Sequence, residues 1–186
     1  MHLFKLIYNI DYMQGTEIAR CIKKGSKEEI TALFESVYNE YFKLVYFVAF
    51  SYLKNEQKTE DIVQDTFLHF FEKCMDFRWV SQLSNVKAYL CSCAKNAAFK
   101  ETKNQNRLSD VENIETLKAE EKEYALETDL INMLEGIDAE SIDIINDHIF
   151  LGLSFSEIAR KKMVSINTIK SKYRRAIQNI RRKFKQ

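Results

Sequence analysis

The sequence predicts an all-α protein, and three observations support that prediction. The chain of 186 residues contains no proline and only four glycines, too few turn residues for an architecture of many short strands. Apolar residues recur at steps of three and four through most of the chain, which is the period of a helix with one buried face. Serine, threonine or aspartate precedes several of these periodic segments, as expected at helix N-termini.

Composition narrows the class of protein further. A hydrophobic fraction of 46% is enough for one domain or two small ones and argues against wholesale disorder. The four cysteines, Cys21, Cys74, Cys91 and Cys93, form no CxxC pair, and the three histidines are scattered. We therefore expect reduced thiols and neither a metal site nor a cofactor.

The net charge of +1 hides an uneven distribution of charge. The stretch from Asp110 to Asp147 is mostly acidic, whereas no aspartate or glutamate occurs from Ile158 to Gln186. A basic C-terminal stretch of this kind is typical of contact with nucleic acid, although a solvated helix face gives the same composition.

Capping signals and breaks divide the first half into helices. Gly25 ends a first helix that begins at Thr16, and Ser26 with Glu29 forms a capping box for a long, aromatic-rich second helix. A polar break at residues 55–58 precedes Thr59, which we expect to cap the third helix. Residues 75–84 read as an irregular segment around Trp79, and a fourth helix is expected from Asn85 to about Lys103.

The second half begins after a polar segment, 104–115, that lacks an apolar period and is expected to be a flexible linker. Helical periodicity resumes near residue 124 and ends at Gly136, and Asp138 is placed to cap the next helix. No run is long enough to span a bilayer. The apolar N-terminus is short and interrupted by Asp11, so we expect neither a signal peptide nor membrane insertion.

Residues 151–185 predict a helix-turn-helix. Ser154 and Glu157 form a capping box for a short helix, residues 163–165 make the turn, and Ser165 caps a longer basic helix. The apolar residues Ile169, Tyr173, Ala176 and Ile177 lie on one face of that helix, away from most of its basic residues. Such a pair places its second helix in a DNA major groove.

Three motifs resemble bacterial sigma-70 family factors of the extracytoplasmic-function group. Residues 59–67, TEDIVQDTF, closely resemble a signature of region 2, and residues 85–97 are similar to the helix that reads the −10 element. Residues 151–159 and 165–171 resemble the helix-turn-helix of region 4. One departure is that Lys162-Met163 stands where the family usually has Leu-Gly.

The resemblance implies a domain organisation and a set of contacts. It implies an N-terminal extension at 1–15, region 2 at 16–105, an acidic linker at 106–120 that would run in the polymerase RNA channel, and region 4 at 121–186. The residues expected to bind core RNA polymerase are Asp61, Gln64, Asp65 and Phe67. Those expected at −10 DNA are Trp79, Asn85, Tyr89, Lys95, Asn96, Lys100 and Lys103. Those expected at −35 DNA are Asn167, Thr168, Lys170, Ser171, Arg174 and Arg175.

Two questions of interpretation stay open at this point. Trp79 is equally well explained as a core residue or as a platform that stacks an unpaired DNA base. The chain as a whole is expected to be a cytoplasmic sigma factor that binds core polymerase and promoter DNA, with an anti-sigma factor as a further partner by analogy. The alternative is a free-standing helix-turn-helix regulator. An enzyme is not expected, because no nucleophile–base pair, phosphate loop or metal cluster is evident.

Overall fold

A computed structural model describes residues 13–108, 134 and 136–183, with the side chains of 104–108 excepted, and every regular element within them is helical. The N-terminal unit, residues 13–108, contains five helices. They are α1 (Gly15–Lys24), α2 (Lys27–Leu53), α3 (Glu56–Cys74), α4 (Phe77–Ser81) and α5 (Val86–Leu108). The C-terminal unit, residues 134–183, contains α6 (Ala139–Ile145), a π-helical segment (Asn146–Phe150), α7 (Phe155–Lys162) and α8 (Ile166–Lys183). The predicted all-α class is confirmed for the described residues.

The long helix α2 is the centre of the N-terminal unit. Its start is the predicted capping box, in which the Glu29 amide donates to Ser26 Oγ at 3.3 Å and the Ser26 amide donates to Glu29 Oε2 at 2.7 Å. The helix ends at Lys54, whose left-handed φ of 51° closes the last turn. From Leu44 onward the helix is buried on nearly all sides, because other helices cover it all round.

The third helix begins four residues earlier than predicted. The prediction that Thr59 caps it is wrong, because Asn55 is the N-cap and its Oδ1 accepts from the Lys58 amide at 3.0 Å. Asparagine is as good an N-cap as threonine, so the polar segment 55–58 forms the start of the helix and is not a break before it. Thr59 lies inside the first turns, is buried, and donates its hydroxyl to the Asn55 carbonyl at 2.6 Å.

The segment before α5 is more regular than predicted. Asp76 caps the short helix α4 by accepting from the amides of Arg78 and Trp79 at 2.9 and 3.4 Å. Helix α5 then continues to Leu108, past the predicted end near Lys103 and into the first residues assigned to the linker. The remaining linker residues, from 109 onward, lie outside the described part of the chain.

Aromatic side chains fill the space between α2 and α3. Tyr38 packs on Phe67 with ring centroids 4.8 Å apart, and Phe34 packs on Phe71 at 4.5 Å. Helix α1 closes one end of this bundle at Gly15, whose amide donates to the Leu83 carbonyl at 2.8 Å. A Cβ at Gly15 would lie only 2.0 Å from the Val80 carbonyl oxygen, so this close approach requires glycine.

The predicted starts in the C-terminal unit are confirmed. The Asp138 carboxylate accepts from the Ser141 amide at 2.9 Å, Ser154 and Glu157 form a capping box, and the Thr168 amide donates to Ser165 Oγ at 3.1 Å. Gly136 takes a φ of +72°, a left-handed conformation that favours glycine. The helix predicted to end there lies, apart from Leu134, outside the described residues.

The two units pack against each other. Phe47 of α2 meets Phe150 of the π-helical segment edge-on, with ring centroids 5.4 Å apart. Nearby, the side-chain Nδ2 of Asn146 donates to Ser51 Oγ at 3.1 Å, and both residues are buried. One hydrophobic core therefore runs from α2 into α6 and α8.

Candidate DNA-binding and polymerase-binding surfaces

Helix α8 presents a basic, exposed face. Ile169, Ala176 and Ile177 are buried and hold the helix on its unit. All six residues predicted to face −35 DNA are exposed: Asn167, Thr168, Lys170, Ser171, Arg174 and Arg175. Their phase around the helix places Lys170, Ser171, Arg174 and Arg175 together, at steps of one, three and four. The structure thus brings this predicted set to one surface.

An aromatic cluster fixes α8 against α7. The His148 ring stacks on Phe155 with centroids 4.1 Å apart, and Tyr173 meets Phe155 edge-on at 5.2 Å. The carbonyl of Leu153 lies 2.8 Å from His148 Nδ1, so the imidazole is held by both stacking and a hydrogen bond. These contacts set the angle at which the second helix of the pair projects.

The turn between α7 and α8 lacks the glycine usual in such turns. Met163 adopts the left-handed conformation itself, with φ at 55°, and its side chain is 91% exposed. The Val164 amide donates to the Ala159 carbonyl at 3.1 Å, which completes the helix end. A non-glycine residue in this conformation costs about 1–2 kcal/mol.

Helix α3 carries an acidic surface that fits the predicted polymerase contact. Asp61, Gln64 and Asp65 are exposed on it. Leu68 is 59% exposed and follows Asp65 by one turn, so it lies on the same face. This leucine was not predicted. Its apolar side chain lies exposed beside the carboxylates, where a partner could contact it. The sequence signal for this position was its spacing of three residues from Asp65.

Phe67 does not belong to that surface. Its side chain is only 2% exposed, and its ring packs on Tyr38 and Phe71. A direct contact between Phe67 and a partner is therefore incompatible with this packing. The residue supports α3 from inside the core.

The residues predicted to contact −10 DNA fall into two groups. Asn96, Lys100 and Lys103 are exposed along one stripe of α5, at steps of four and three. Phe99 lies on the same stripe and is 61% exposed. This half of the predicted set is available to a ligand, and two of its members are cationic.

The other group is engaged within the fold. The Trp79 ring meets Tyr89 edge-on at 5.0 Å and Phe70 at 6.5 Å. Burial raises the pKa of Tyr89 to about 12. Asn85 caps α5 by accepting from the Ala88 amide at 2.9 Å. The packing favours the core interpretation of Trp79, and Tyr89 and Asn85 likewise have structural roles.

Lys95 is bound by two carboxylates of the C-terminal unit. Its Nζ lies 2.5 Å from Asp143 Oδ1 and 2.5 Å from Asp147 Oδ1, and its side chain is 13% exposed. Burial by itself would lower the pKa of Lys95, but the hydrogen bonds to the two carboxylates raise it above its ordinary value. The ammonium is therefore fully charged and directed away from solvent.

Two further lysines complete this cluster from within the C-terminal unit. Lys161 Nζ lies 3.0 Å from Asp147 Oδ2, and Lys162 pairs with Asp143. The Tyr52 hydroxyl of α2 donates to Asp143 Oδ1 at 2.8 Å. Burial would raise the pKa of Asp143, but the bonds from Lys162 and Lys95 hold it well below its usual range. We call these six side chains the interdomain ion cluster: Tyr52, Lys95, Asp143, Asp147, Lys161 and Lys162.

The region around the cluster was not predicted as a site. By sequence, Asp143 and Asp147 are two residues of the mostly acidic stretch from Asp110 to Asp147. A signal existed, because both carboxylates alternate with Ile142, Ile144 and Ile145 on a strongly apolar helix.

Among the described residues, no group of three or more histidine, cysteine or acidic side chains could hold a metal ion. Likewise, none of the described helices is long and apolar enough to cross a membrane.

Comparison with known families adds an independent observation. Residues 37–108, from α2 through α5, match the family model of sigma-70 region 2. Over this segment, which is less than half of the chain, the protein is similar to the sigma-70 family. The matched segment contains the acidic surface of α3 and the lysine stripe of α5. No curated protein matches the chain.

A solved structure of a sigma factor has a similar fold. The sigma factor RpoE of Bartonella quintana, solved in complex with the anti-sigma factor NepR, is 24% identical, with 82% of this chain and 96% of that chain covered and a TM-score of 0.54. CnrH, solved in complex with the cytosolic domain of CnrY, is 18% identical, with coverage of 89% and 94% and a TM-score of 0.49. The likeness to RpoE extends beyond region 2, since it covers more of the chain than the family model does.

Proposed function

We propose that this chain is a promoter-recognition subunit of RNA polymerase, which binds the core enzyme and directs it to −10 and −35 elements. The observation that carries the proposal is the combination of a region 2 domain with an exposed basic helix on a capped helix-turn-helix. A region 2 domain alone is compatible with several arrangements. A second, independent DNA-reading surface in the same chain is what a two-element promoter requires.

The acidic surface of α3 is the proposed polymerase contact. Asp61, Gln64 and Asp65 would meet a basic surface of the core enzyme, so that complementary charge steers the encounter and fixes its orientation. Leu68 would add an apolar contact at the edge of this surface. Burial of this side chain on binding would add a hydrophobic contribution beside the charged contact.

The two DNA contacts are proposed to differ in chemistry. On α8, Arg174 and Arg175 are placed for guanine edges or phosphates in a major groove, with Asn167 and Thr168 at the start of the helix. On α5, Lys100 and Lys103 would bind phosphates around the melted −10 region, which positions the strand without reading its sequence. Lys95, also expected at this DNA, is engaged by Asp143 and Asp147 in this structure.

Transcription in vitro with purified core enzyme tests the proposal. A template library followed by start-site mapping should give start points that share sequences near −10 and −35 and that depend on the chain. Purified chain that neither binds core enzyme nor supports initiation would contradict the proposed function.

A charge reversal tests the polymerase surface separately. Asp65→Lys should weaken core binding by at least tenfold, because it places a cation against a basic partner, while thermal stability stays within the range of surface substitutions. Glu35→Lys is the matched control, since Glu35 is also an exposed acid on a helix but lies on α2. Equal binding by both variants would remove Asp65 from the interface.

The free-standing regulator remains the competing function. Its supporting feature is the helix-turn-helix, which would serve a regulator equally well. Isolation of the native chain from cells separates the two proposals, because a sigma factor is recovered with core polymerase subunits and a regulator is not.

An anti-sigma factor is a further proposed partner. RpoE of Bartonella quintana was solved with such a factor bound, and its fold resembles this chain across both units. The same native isolation tests the point: a small protein recovered with the chain in place of core polymerase, and competing with core enzyme for it, would support this partner.

A further inference from the structure

Three exposed apolar side chains lie together at the start of the basic helix α8. Among the described residues seven large apolar side chains are exposed, and three of them fall within four positions: Met163 at 91%, Val164 at 38% and Ile166 at 39%. Single exposed apolar residues are normal on a protein surface, whereas a group of them marks a contact site. We call Met163, Val164 and Ile166 the apolar tip of the helix-turn-helix.

The apolar tip is not part of the core of the C-terminal unit. That core includes Ile158 and Ile169, with Tyr173 packed against it. None of the three tip residues belongs to either hydrophobic cluster of the described residues. Ile166 therefore differs from Ile169, three positions later, which is fully buried. The spacing of Ile166 is that of a packing residue, but the fold leaves its side chain uncovered.

Ile166 shares a stripe of α8 with two of the basic residues predicted to face −35 DNA. Ile166, Lys170 and Arg174 follow one another at steps of four, so their side chains lie one above the other along the helix. Lys170 and Arg174 are both exposed. An orientation that places these two cations against DNA therefore brings Ile166 to the same groove, one turn nearer the start of the helix.

The direction of its side chain points Ile166 beyond the end of the helix. Side chains of an α-helix tilt toward its N-terminus, and Ile166 is the first residue of α8. In a helix-turn-helix on DNA, the second helix contacts base edges with its N-terminal residues. In that arrangement the side chain of Ile166 would project toward the bases.

The first turn of α8 is held in place by its cap. The Thr168 amide donates to Ser165 Oγ at 3.1 Å, and the hydroxyl oxygens of the two residues lie 2.8 Å apart. Isoleucine is itself stiff, because a β-branched side chain has one strongly preferred χ1 rotamer in a helix. A stiff side chain on a capped turn loses little conformational entropy when it makes a contact. Ile166 is therefore suited to recognise a group at a fixed position.

The chemistry of isoleucine selects one feature of a DNA groove. Its side chain has neither a hydrogen-bond donor nor an acceptor, so it cannot pair with the polar edge of a base. The C5-methyl of thymine is the apolar group that a base pair presents in the major groove. Contact between this methyl and Ile166 removes apolar surface of both from water. A cytosine at the same position would instead leave its amino donor without a partner.

We propose that Ile166 is a base-reading residue of α8, which recognises the C5-methyl group of a thymine in the −35 element. The inference deepens the proposed function and rests on it, because it takes α8 to be the −35 reader. Lys170 and Arg174 contact phosphates or guanines along the same stripe. Ile166 adds a preference for thymine that a hydrogen-bonding side chain does not provide.

Exchange of thymine for uracil tests this recognition, because it removes the C5-methyl and leaves the hydrogen-bonding groups of the base in place. The −35 sequence is first obtained by selecting DNA duplexes that bind the holoenzyme formed from this chain and core polymerase. Each thymine of the selected element is then replaced in turn by deoxyuridine, and the dissociation constant is measured. One exchange should weaken binding by about fourfold, as expected for burial of one methyl group.

Variants of the apolar tip assign this effect to one residue. Ile166→Ala should bind the thymine and uracil duplexes equally, whereas Ile166→Val, which keeps a branched apolar side chain, should retain most of the preference. Met163→Ala is the matched control, because it shortens another exposed apolar residue of the tip, and it should keep the full preference. A purely structural role of Ile166 would weaken binding of both duplexes alike and leave their ratio unchanged.

Several results would overturn the inference. They are a selected −35 element without an A·T pair, no effect of uracil at any position, a methyl preference that persists in Ile166→Ala, and a preference that disappears in Met163→Ala.

Selection of duplexes with the full chain alone separates this inference from the proposed function. A chain that does not bind core enzyme, but whose own selected duplexes show the Ile166-dependent methyl preference, would overturn the proposed function and leave the reading by Ile166 in place. A chain that selects no duplex with or without core enzyme would overturn both.

Discussion

The two candidate DNA surfaces of this chain differ in how much of each is open to a ligand. On α8 every predicted residue is exposed, from Asn167 to Arg175. On α5 and the segment before it, Trp79, Tyr89 and Asn85 are used in packing or capping, and Lys95 is held by the other unit. Only Asn96, Lys100 and Lys103 remain on the surface there.

The difference follows from how each helix is covered. Helix α8 contacts its own unit along one stripe, so helical periodicity alone separates its buried face from its exposed face. Helix α5 is covered by α2 and α3 on one side and by the π-helical segment on another, and the second contact comes from far along the chain. The exposed face of a helix can therefore be predicted from helical periodicity when the helix packs along one stripe. It cannot be predicted from periodicity when a distant segment of the chain also covers the helix.

The largest expected effect is on the exposed surface. Arg174→Ala with Arg175→Ala should reduce −35-dependent transcription by tenfold or more, because each arginine that reads a guanine contributes about 1–3 kcal/mol of discrimination. Circular dichroism should be unchanged, since neither side chain is buried. Gln178→Ala, further along the same helix, is the control. Full −35 dependence in the double variant would show that α8 is not the reader.

Substitution of the covered residue on α5 should change the stability of the protein, whereas substitutions on the exposed face of α8 should change its function. Lys95→Ala is expected to lower the free energy of unfolding by about 3 kcal/mol, because removing one partner leaves buried carboxylates under-compensated. Lys100→Ala, one helical turn and a residue later and exposed, should change it by less than about 0.5 kcal/mol. Urea unfolding followed by circular dichroism measures both. Equal, small changes would mean that the docked units contribute little to the native state.

Acidity should weaken the interdomain ion cluster. The folded pKa of Asp143 is held below its ordinary value, so its contribution to stability is full above about pH 4 and is lost as the pH falls through the folded pKa. The raised pKa of Lys95 gives the opposite sign, with stability lost only above about pH 10. Thermal unfolding of wild type and Asp143→Asn across acidic pH should show a shallower acid decline in the variant. Identical declines would contradict this assignment.

The smallest expected effect concerns the turn that positions α8. Met163→Gly should raise the free energy of unfolding by about 1 kcal/mol, because glycine adopts a positive φ without the steric cost of a Cβ. Met163→Ala should leave it nearly unchanged, since the side chain is exposed and the backbone strain stays. Chemical denaturation of the three proteins distinguishes them. Stabilisation by alanine as well would point to the exposed side chain as the cause.

The sequence alone predicted the fold class and most helix starts, because these depend on residues close together in the chain. The capping boxes at Ser26 and Ser154 and the cap at Asp138 lie where the pattern placed them. One exception was the short helix α4, which was predicted as an irregular segment. Another was the start of α3, where Asn55 and Thr59 were both acceptable caps by type. Local chemistry could not choose between them, whereas burial of Thr59 in the folded bundle did.

The candidate functional surfaces show the same difference between features set by nearby residues and features set by tertiary packing. The exposed positions of α8 and the acidic face of α3 followed from spacing on a single helix, as did the stripe from Asn96 to Lys103. The burial of Phe67 and the packing of Trp79 on Tyr89 did not follow from spacing, because an aromatic residue at helical spacing has the same pattern whether a partner ring covers it or not. The exposure of Leu68 could not be predicted either, because helical spacing is the same for a covered and an uncovered apolar residue.

What only the tertiary structure decided is the partner of Lys95. By sequence it is one more lysine on a DNA-contact helix, and Asp143 and Asp147 are two more acids in an acidic stretch. Coulomb attraction between them becomes specific only when the fold brings both carboxylates to 2.5 Å from the Lys95 ammonium and largely buries the three side chains. Charge pattern along a chain determines which residues can pair, and burial across units determines which of them do.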